Sequence, residues 1–452
     1  MSDAGREALA IVLAAGEGTR MRSRTPKVLH RIAGRSMLGH ALATIAEAGI
    51  GRVAVVVGPG HDAVAAEARA ISPGAEIFVQ QERLGTGHAV MAARAAVTGD
   101  VGEVLIIYAD TPFVSVETLR GMRATVAEGA AVVGVGFEAK DPTGYGRFLM
   151  KDRRLTAIRE HRDATDAERK VTLCNAGLMA FRGRDLPDLL DSLTDTNDQK
   201  QFYLTDAAEI AHAKGLVVNA ITCGEDEVLG VNDRAQLAAA EAVMQQRLRE
   251  KVMREGATLI APDTVFLSFD TKIGQDVMIE PHVVFGPGVV VENDVVIHSF
   301  SHLEGAHVGR GASIGPFGRL RPGAKLGEKS RIGNFVEVKN ADIGAGAKAN
   351  HLAYIGDASV GAESNIGAGA VFCNYDGVNK HHTEVGAGAF IGTNVTLVAP
   401  VKVGDGAFVA AGSTITRNVP DDALAIGRGR QEMREGWAAA RRQRYPAKKK
   451  DH

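Results

Sequence analysis

The segment IGQDVMIEPHVVFGPGVVVENDVVI (Ile273–Ile297) decides the fold of the second half, because an aliphatic or aromatic residue returns at every sixth position. The period continues to Ile415, with single-residue slips and one break at Cys373–Glu384. The repeated residues are Ile273, Ile279, Phe285, Val291, Ile297, Leu303, Val308, Ile314, Leu320, Leu326, Ile332, Val338, Ile343, Ala349, Ile355, Val360, Ile366, Phe372, Val385, Ile391, Leu397, Val403, Val409 and Ile415. A six-residue period fits neither an α-helix nor an alternating strand. It predicts a parallel β-helix, in which each hexad forms one short strand and one corner.

The composition agrees with such a narrow solenoid. The chain has 53 glycines among 452 residues, and aromatic residues make up only 5%. Glycine, Asn and Asp tolerate the backbone angles of sharp corners. We therefore expect a thin core, with little space for large rings.

A stretch without Gly or Pro, Arg234–Glu255, precedes the repeat and carries apolar residues at helical spacing. These residues are Leu237, Val243, Met244, Leu248 and Val252. The pattern predicts one long helix, which would also cover the open strand edges at the end of the solenoid. We expect a first domain at 1–233, a linker helix at 234–256 and a β-helix domain with a basic tail at 257–452.

The first half alternates buried apolar runs with Ala-rich helical stretches. The runs are Ala8–Ala15, Val53–Val57, Ile77–Val79, Val104–Tyr108 and Ala131–Phe137. This alternation predicts an α/β domain with a mostly parallel sheet and helices on both faces. Ligands of such sheets bind beyond the carboxyl ends of the strands.

A glycine loop follows the first run, within LAAGEGTRMRSRTPKVLH (Leu13–His30). It is not a Walker A loop, because no Gly-Lys-Ser/Thr follows, and Met21 takes the third glycine position of a dinucleotide fingerprint. Backbone N–H groups of Gly16–Thr19, with Arg20 and Lys27, could still face a phosphate. A plain strand-to-helix turn explains the loop equally well at this point.

Charge and cysteine content exclude several classes of protein. There are 52 Lys and Arg against 54 Asp and Glu, which argues against a nucleic-acid coat or a membrane-surface binder. Three scattered cysteines suit a reducing compartment. Neither a signal peptide nor an apolar run of about 18 residues is found. We therefore expect a soluble cytoplasmic protein without nucleic-acid or membrane partners.

Longer motifs resemble the signature of the sugar nucleotidyltransferases. They are LAAGEGTRM with Pro26-Lys27, Gln80–Ala89, Tyr108–Asp110, Asp141–Arg147, Ile158–Thr165, Asn175, Phe202–Asp206 and Gly230–Arg234. Together with the hexads, residues from about Leu9 to Trp437 resemble the bacterial bifunctional family that combines N-acetylglucosamine-1-phosphate uridylyltransferase with glucosamine-1-phosphate acetyltransferase. The resemblance implies a Rossmann-like nucleotidyltransferase domain followed by a left-handed parallel β-helix of hexapeptide repeats. It also implies a place in UDP-N-acetylglucosamine supply for cell-wall synthesis.

For the uridylyl site, the resemblance implies UTP as co-substrate and Mg²⁺ held by Asp110 and Asn232, with Arg20 and Lys27 stabilising phosphate charge. The implied substrate contacts are Leu13, Ala14, Ala15, Gly16, Lys27, Gln80, Gly85, Thr86, Tyr108, Asp110, Gly146, Glu160, Asn175 and Asn232. Without it, Asp110 could simply cap a helix and Glu160 could be a solvated charge. Ala109 and Ala176 stand where this family usually has Gly and Thr, which puts fine substrate contacts in doubt.

For the acetyl site, the break in the repeat (CNYDGVNKHHTE, Cys373–Glu384) predicts a functional loop that leaves the solenoid. The resemblance implies His351 as general base, and its alternative reading is a histidine packed on the solenoid wall. The implied acceptor contacts are Arg321, Lys339, Tyr354, Asn365, Asn374 and Tyr375, and the implied acetyl-coenzyme A contacts are Ala368, Asn374, Tyr375, Thr393, Ala411 and Arg428. Asn350 and Thr393 depart from the family's usual Gly and Ser.

Three further expectations concern metals, partners and a rival function. A zinc reading of His381 and His382, or of His298, His302 and His307, needs ligands that converge. The basic tail (Trp437, Arg441, Arg442, Arg444, Lys448–Lys450) is either solvated or bridges to coenzyme A or a neighbouring subunit. The resemblance implies a homotrimer with small-molecule substrates. The rival is a nucleotidyltransferase whose β-helix serves only for assembly or regulation.

Overall fold

The protein is described by a computed structural model that covers residues 7–97, 101–152 and 154–445. The chain divides into two compact units, Met1–Gln246 and Arg247–His452. Within the described residues, no helix has the length and apolarity needed to cross a membrane.

The first unit is built on a nine-stranded sheet that includes every predicted strand. Its strands, together with the small hairpin β2–β3, are β1 (Glu7–Ala14), β2 (Arg31–Ile32), β3 (Arg35–Ser36), β4 (Arg52–Val57), β5 (Glu76–Val79), β6 (Val101–Tyr108), β7 (Val132–Glu138), β8 (Arg147–Lys151), β9 (Arg154–Arg159), β10 (Leu173–Arg182) and β11 (Val218–Thr222). The order is β11-β7-β10-β6-β1-β4-β5, with the hairpin β8–β9 attached to β10. Strand β10 is antiparallel to both neighbours, and the other neighbours on this path are parallel.

Helices cover both faces of this sheet, as predicted. They are α1 (Met37–Glu47), α2 (Asp62–Ile71), α3 (Thr86–Ala92), α4 (Val116–Ala127), α5 (Leu186–Asp191) and α6 (Asp206–Ala213). Alternate residues of β1 enter two separate cores: Ala10 and Val12 pack with α1, α2 and α4, whereas Leu9 and Ile11 pack with α3, α5 and α6. The carboxyl ends of β1 and β6 therefore open between two filled layers.

Helix α7 spans Arg234–Arg254, close to the predicted 234–255. In the first unit, Leu237, Val243 and Met244 pack against a small core. In the second unit, Leu248 and Val252 pack against the solenoid core. The apolar residues that predicted the helix are thus the ones that anchor it.

The second unit is a parallel β-helix with three rows of short strands. One row is Thr258–Leu259, Met278–Ile279, Val296–Ile297, Ser313–Ile314, Arg331–Asn334, Lys348–His351, Asn365–Ile366, Phe390–Ile391, Phe408–Val409 and Leu424–Ala425. The second contains Lys272–Ile273, Val290–Val291, His307–Val308, Lys325–Leu326, Thr383–Val385 and Val401–Val403, and the third contains Val284–Phe285, His302–Leu303, Arg319–Leu320, Val371–Cys373, Thr396–Val398 and Thr414–Ile415. Strands Glu337–Ile343 and Tyr354–Val360 turn a corner and belong to both of these rows. A last helix, α8 (Trp437–Arg444), is exposed throughout.

The hexad positions point inward as predicted. Every one of them after Ile273 is buried, and together they form one continuous core. Close approach of the coils explains part of the glycine excess: a Cβ on Gly361 would lie 2.4 Å from the backbone nitrogen of Ala387 in the next coil. The hexapeptide β-helix inferred from the period is confirmed.

One corner of the solenoid carries several of the candidate site residues described below, and we call it the His351 corner. In each coil it consists of two residues: Pro281–His282, Ser299–Phe300, Pro316–Phe317, Asn334–Phe335, His351–Leu352, Ala368–Gly369, Thr393–Asn394 and Ala411–Gly412. The second residue of each pair has a positive φ, between 52° and 73°. Four of these residues form an exposed ladder, in which the rings of His282, Phe300, Phe317 and Phe335 stack with centroids 5.0 Å apart.

Candidate active sites

The glycine loop of the first unit lies between β1 and a short 3-10 turn, Thr19–Met21. Gly18 has φ 63°, and a Cβ there would lie 2.5 Å from the Cβ of Lys27. Only glycine therefore allows the loop to lie directly against the segment that carries Lys27. Sequence reasoning left a simple turn open, but the loop borders a cavity.

That cavity, of about 310 Å³, is lined by Leu13, Ala14, Ala15, Gly16, Lys27, Val28, Gln80, Arg83, Gly85, Thr86, Ala89, Tyr108, Asp110 and Gln201. The structure thus brings the predicted nucleotide-pocket residues together. Arg20 is different, because it lies exposed on the 3-10 turn and does not line the cavity.

Arg83 was not singled out from the sequence, although it lies in the quoted motif Gln80–Ala89. Its Nε donates to the carbonyl of Ala15 at 3.1 Å.

Beside this cavity, the side chain of Lys27 contacts both Asp110 and Asn232. The Lys27 ammonium forms an ion pair with the Asp110 carboxylate and donates to Asn232 Oδ1 at 3.2 Å. Two protein oxygens, from residues 122 positions apart in sequence, therefore face one positive charge. A carboxylate and an amide oxygen suit Mg²⁺, which completes its shell with water and phosphate. The donor set fits the metal that the resemblance implies.

A second cavity, of about 390 Å³, shares Thr86, Tyr108, Asp110 and Gln201 with the first. Its lining also includes the predicted sugar contacts Gly146, Glu160 and Asn175, the predicted metal ligand Asn232, and Ala176. Residues not picked out from the sequence also line it: Thr111, Gly144, Tyr145, Gly177, Gln199, Gln201, Tyr203, Thr205, Val228 and Gly230. Several of these lie inside quoted motifs, so the motifs contained the signal.

Burial tunes two acidic groups of the second cavity. Desolvation raises the pKa of Glu160, although a hydrogen bond from Thr205 Oγ1 at 3.2 Å opposes this. Burial, with the charges of Asp110 and Glu160, raises the pKa of Tyr108. Tyr108 therefore stays protonated and can act only as a neutral hydroxyl there.

In the second unit, His351 ends the strand Lys348–His351 and is exposed at its corner. Its Nδ1 lies 2.6 Å from Oδ1 of Asn334, the residue paired with it in the preceding coil. An amide oxygen only accepts, so Nδ1 carries the hydrogen and Nε2 carries the free lone pair. Asn334 was not predicted, but stepping back one coil from His351 would have found it.

The predicted acetyl-coenzyme A contacts follow His351 along the same corner. Ala368, Thr393 and Ala411 occupy its position in the next three coils, linked by the bonds Gly369 N to His351 O, Asn394 N to Ala368 O and Gly412 N to Thr393 O at 2.8–3.3 Å. Arg428 joins the far end, where its Nη1 donates to the Ala411 carbonyl at 2.8 Å. The structure thus arranges these residues in one row.

The predicted acceptor residues lie mainly on the face that follows this corner. Arg321 donates to Glu337 at 2.8 Å, and Glu337 pairs in register with Tyr354. The ammonium of Lys380, with desolvation, lowers the pKa of Lys339, and Arg321 contributes in the same direction. The three cations Arg321, Lys339 and Lys380 therefore influence one another electrostatically. Lys380 was not predicted from the sequence, although it lies in the inserted loop. The predicted acceptor residue Asn365 lies instead in the first row of strands, where it pairs with Lys348 and Phe390.

The inserted loop is ordered by its own hydrogen bonds. Asp376 accepts from the backbone of Val378 at 2.8 Å and Asn379 at 2.6 Å and from His381 Nε2 at 2.7 Å. These bonds, the one from the Asn379 backbone first, lower the pKa of Asp376 to about 2. Asn374 donates to Asp357 and lies 3.5 Å from the Tyr354 hydroxyl, which ties the loop to the acceptor face.

The histidines considered for zinc do not converge. His381 bonds to Asp376, His382 to Ser359, His298 to Glu280 and His307 to Glu292. Among the described residues, no three His, Cys, Asp or Glu side chains are grouped to hold a metal.

In the basic tail, Arg441 stacks over Trp437 on exposed α8, and Lys448–Lys450 lie outside the described residues.

Two family descriptions match this chain. Residues 10–175 match the MobA-like NTP transferase domain, and residues 270–305 and 382–417 match the bacterial transferase hexapeptide repeats. The Bifunctional protein GlmU of Azorhizobium caulinodans is 62% identical over 437 residues, covering 97% of this chain and 98% of that protein. Proteins of the same name from Xanthobacter autotrophicus and Agrobacterium fabrum are 59% and 55% identical, over 97% and 98% of this chain and 98% of each relative. The chain belongs to the bifunctional GlmU family.

Proposed function

We propose that the cavities around Lys27 and the corner around His351 are the two active sites of this enzyme. The enzyme acetylates glucosamine 1-phosphate with acetyl-coenzyme A and then transfers a uridylyl group from UTP to the product, N-acetylglucosamine 1-phosphate. One observation supports the assignment most: each unit holds its own cluster of the residues that one of these reactions needs. We assign uridylyl transfer to residues 1–233 and acetyl transfer to residues 257–452.

In uridylyl transfer, a phosphate oxygen of the sugar phosphate attacks the α-phosphorus of UTP. The bond from that phosphorus to the bridging oxygen breaks, and pyrophosphate leaves. The nucleophile is already ionised, because the second pKa of a phosphate monoester is about 6. The chain therefore supplies alignment and charge: the loop Leu13–Gly16 and Lys27 face the phosphates, and Gly146, Glu160 and Asn175 face the sugar.

We assign Mg²⁺ to Asp110 and Asn232, because an oxygen atom of each contacts the same group, the Lys27 ammonium. When bound, this ion supplies further neutralisation of phosphate charge. Lys27 lies at the same point, so it is the chain's own cation for the triphosphate. We place Arg20 at the outer end of the glycine loop, where it adds to the positive field.

In acetyl transfer, His351 Nε2 takes a proton from the ammonium group of glucosamine 1-phosphate. The freed amine attacks the thioester carbonyl, the carbon–sulfur bond breaks, and the thiolate receives a proton from the imidazolium. The second proton that the nitrogen loses as the amide forms passes to solvent. Asn334 holds the imidazole in the tautomer that leaves Nε2 free. Arg321, Lys339 and Lys380 bind the sugar phosphate, while Tyr354, Asn374 and Tyr375 complete the acceptor pocket.

We further propose a homotrimer with acetyl sites shared between subunits, and a cytoplasmic location. The hexapeptide repeats support self-association. The location is supported by the substrates, because UTP and acetyl-coenzyme A are cytoplasmic metabolites.

Single substitutions separate the two reactions. We expect His351→Ala to lower acetyl transfer by about 100-fold or more, because the general base is lost, while UTP-dependent pyrophosphate release is unchanged. Asp110→Asn should do the reverse. Thiol release is followed with glucosamine 1-phosphate and acetyl-coenzyme A, and pyrophosphate release in a second reaction that contains N-acetylglucosamine 1-phosphate, UTP and Mg²⁺.

Each variant is the control for the other, because His351→Ala keeps the uridylyl site intact and Asp110→Asn keeps the acetyl site intact. Normal acetyl transfer in His351→Ala would refute the general-base role. Absence of acetyl transfer from the unmodified protein would favour a β-helix that serves only for assembly or regulation. Full uridylyl transfer in Asp110→Asn would refute the metal role.

A further inference from the structure

Arg147 is a buried charge that has no role in the two reactions as described above. It begins β8, and only 1% of the residue is exposed. Within the described part of the chain, no carboxylate forms a hydrogen bond or ion pair with it. Burial of a guanidinium is unfavourable unless its donors are satisfied. Its Nε has no hydrogen-bond partner among the described residues, so the contacts of Nη1 and Nη2 show what the side chain holds.

Those contacts join three separate segments. Nη1 donates to the carbonyl of Tyr145, and Nη2 lies 3.3 Å from both His161 Nδ1 and the carbonyl of Arg169. The backbone N–H of Gly144 also donates to His161 Nδ1, at 3.3 Å. Both partners of Nδ1 can only donate, so this nitrogen carries a lone pair and His161 is neutral, with its hydrogen on Nε2.

Two of these segments carry the sugar contacts of the second cavity. Gly144, Tyr145 and Gly146 precede Arg147, and Glu160 precedes His161; all four line the cavity. The carbonyl of Gly146 also accepts from the backbone of Asn175 at 2.8 Å. The guanidinium and the imidazole thus link the Gly144–Gly146 loop to the loop that begins at Glu160.

We propose that Arg147 is a positioning residue for the sugar phosphate in uridylyl transfer. It acts through the two loops, whose spacing sets how Gly146 and Glu160 meet the sugar, and it does not line the cavity itself. The proposal rests on the uridylyl function proposed for this site. Arginine is suited to the task because its planar fork donates in several fixed directions, which a lysine ammonium does not reproduce.

The test is a comparison of Michaelis constants. We expect Arg147→Met to raise the KM for N-acetylglucosamine 1-phosphate about tenfold or more and to change the KM for UTP less than about twofold. Arg147→Lys, which keeps the charge, should show an intermediate effect. His161→Ala removes the shared acceptor and should shift the same constant in the same direction.

Two controls keep the result interpretable. Arg154→Met removes an exposed arginine from β9 of the same hairpin and should leave both constants unchanged. The KM for UTP, which binds in the same unit, reports whether that unit is folded, and His161→Ala provides a second measurement if Arg147→Met is unstable.

Unchanged KM for the sugar phosphate in both Arg147 variants would overturn the proposal. Equal changes in the constants for both substrates would also overturn it, because they would indicate a general effect on the unit. Failure of the proposed function is distinct: the unmodified protein would then release no pyrophosphate from UTP and N-acetylglucosamine 1-phosphate.

Discussion

At the scale of single residues, the proposed acetyl site contains a hydrogen bond between two coils. Asn334 accepts from His351 Nδ1 at 2.6 Å, so the lone pair of Nε2 is available for the substrate. Both residues occupy the same position of the His351 corner, and the stacking of the coils brings them together. In this solenoid, the residue that orients the base is therefore supplied by the equivalent position of the adjacent coil and not by a neighbour in sequence.

Substitution of Asn334 should separate orientation from basicity. We expect Asn334→Ala to lower kcat for acetyl transfer about tenfold with little change in KM, because the imidazole loses its partner. Asn334→Asp keeps an acceptor and adds a negative charge, which favours the protonated imidazole. The acid limb of its pH–rate profile should therefore move to higher pH. Wild-type kcat and an unshifted profile in both variants would contradict this role.

At the scale of elements, the inserted loop carries three residues of the proposed acetyl site. Asn374, Tyr375 and Lys380 lie on it, and the carboxylate of Asp376 holds it through two backbone bonds and one to His381. An exposed carboxylate with three donors acts here as a local clasp, so loop order and ligand contacts are coupled.

Removal of this clasp should weaken binding at the acetyl site alone. We expect Asp376→Ala to raise the KM for glucosamine 1-phosphate and acetyl-coenzyme A roughly three- to tenfold, because the ligand contacts lose their fixed geometry. Steady-state kinetics with each substrate varied in turn measures this. Asp342→Ala, which removes an exposed solenoid carboxylate paired with Lys325, should have no effect. Unchanged constants in Asp376→Ala would show that the loop is held by other contacts.

The solenoid could be predicted from sequence because its core requires one aliphatic side chain per hexad, a strictly local rule. The occupants of its corners could not. Phe300, Phe317 and Phe335 have positive φ, where propensity favours Gly, Asn or Asp. Stacking between coils offsets that cost, since an aromatic pair contributes about 0.5–1.5 kcal/mol. This contact between successive coils has no signal within one hexad.

The first unit shows the same limit. Apolar runs predicted the strands Ala8–Ala15 and Val104–Tyr108, but the long antiparallel β10 and the hairpin β8–β9 were not predicted. Glycine and polar residues interrupt their apolar pattern, as at Asn175 and Gly177. The meeting of Lys27 with Asp110 and Asn232 arises from tertiary structure, so only the family resemblance indicated it.

At the scale of the whole molecule, two activities on one chain provide an internal reference for each other. The proposed trimer would share acetyl sites between subunits, whereas the residues assigned to uridylyl transfer all lie in one unit of one chain. Dissociation should therefore affect the two reactions differently.

We expect light scattering to give a mass about three times that of the 47.5 kDa chain. On dilution, acetyl transfer per chain should fall while pyrophosphate release per chain stays constant. Both rates are measured on the same diluted sample. A monomer mass, with acetyl transfer independent of concentration, would exclude shared sites.

The His351 corner also has a direction. Up to Leu352 its left-handed positions are filled by His, Phe and Leu side chains, but the next three are Gly369, Asn394 and Gly412. Two of these three residues lack a side chain, so the corner carries less side-chain bulk beyond His351 than before it, over three coils or roughly 14 Å. Arg428 lies at the far end of this strip. An extended acetyl-coenzyme A on it would be bound in one orientation, with its thioester at the base and its phosphates at the guanidinium.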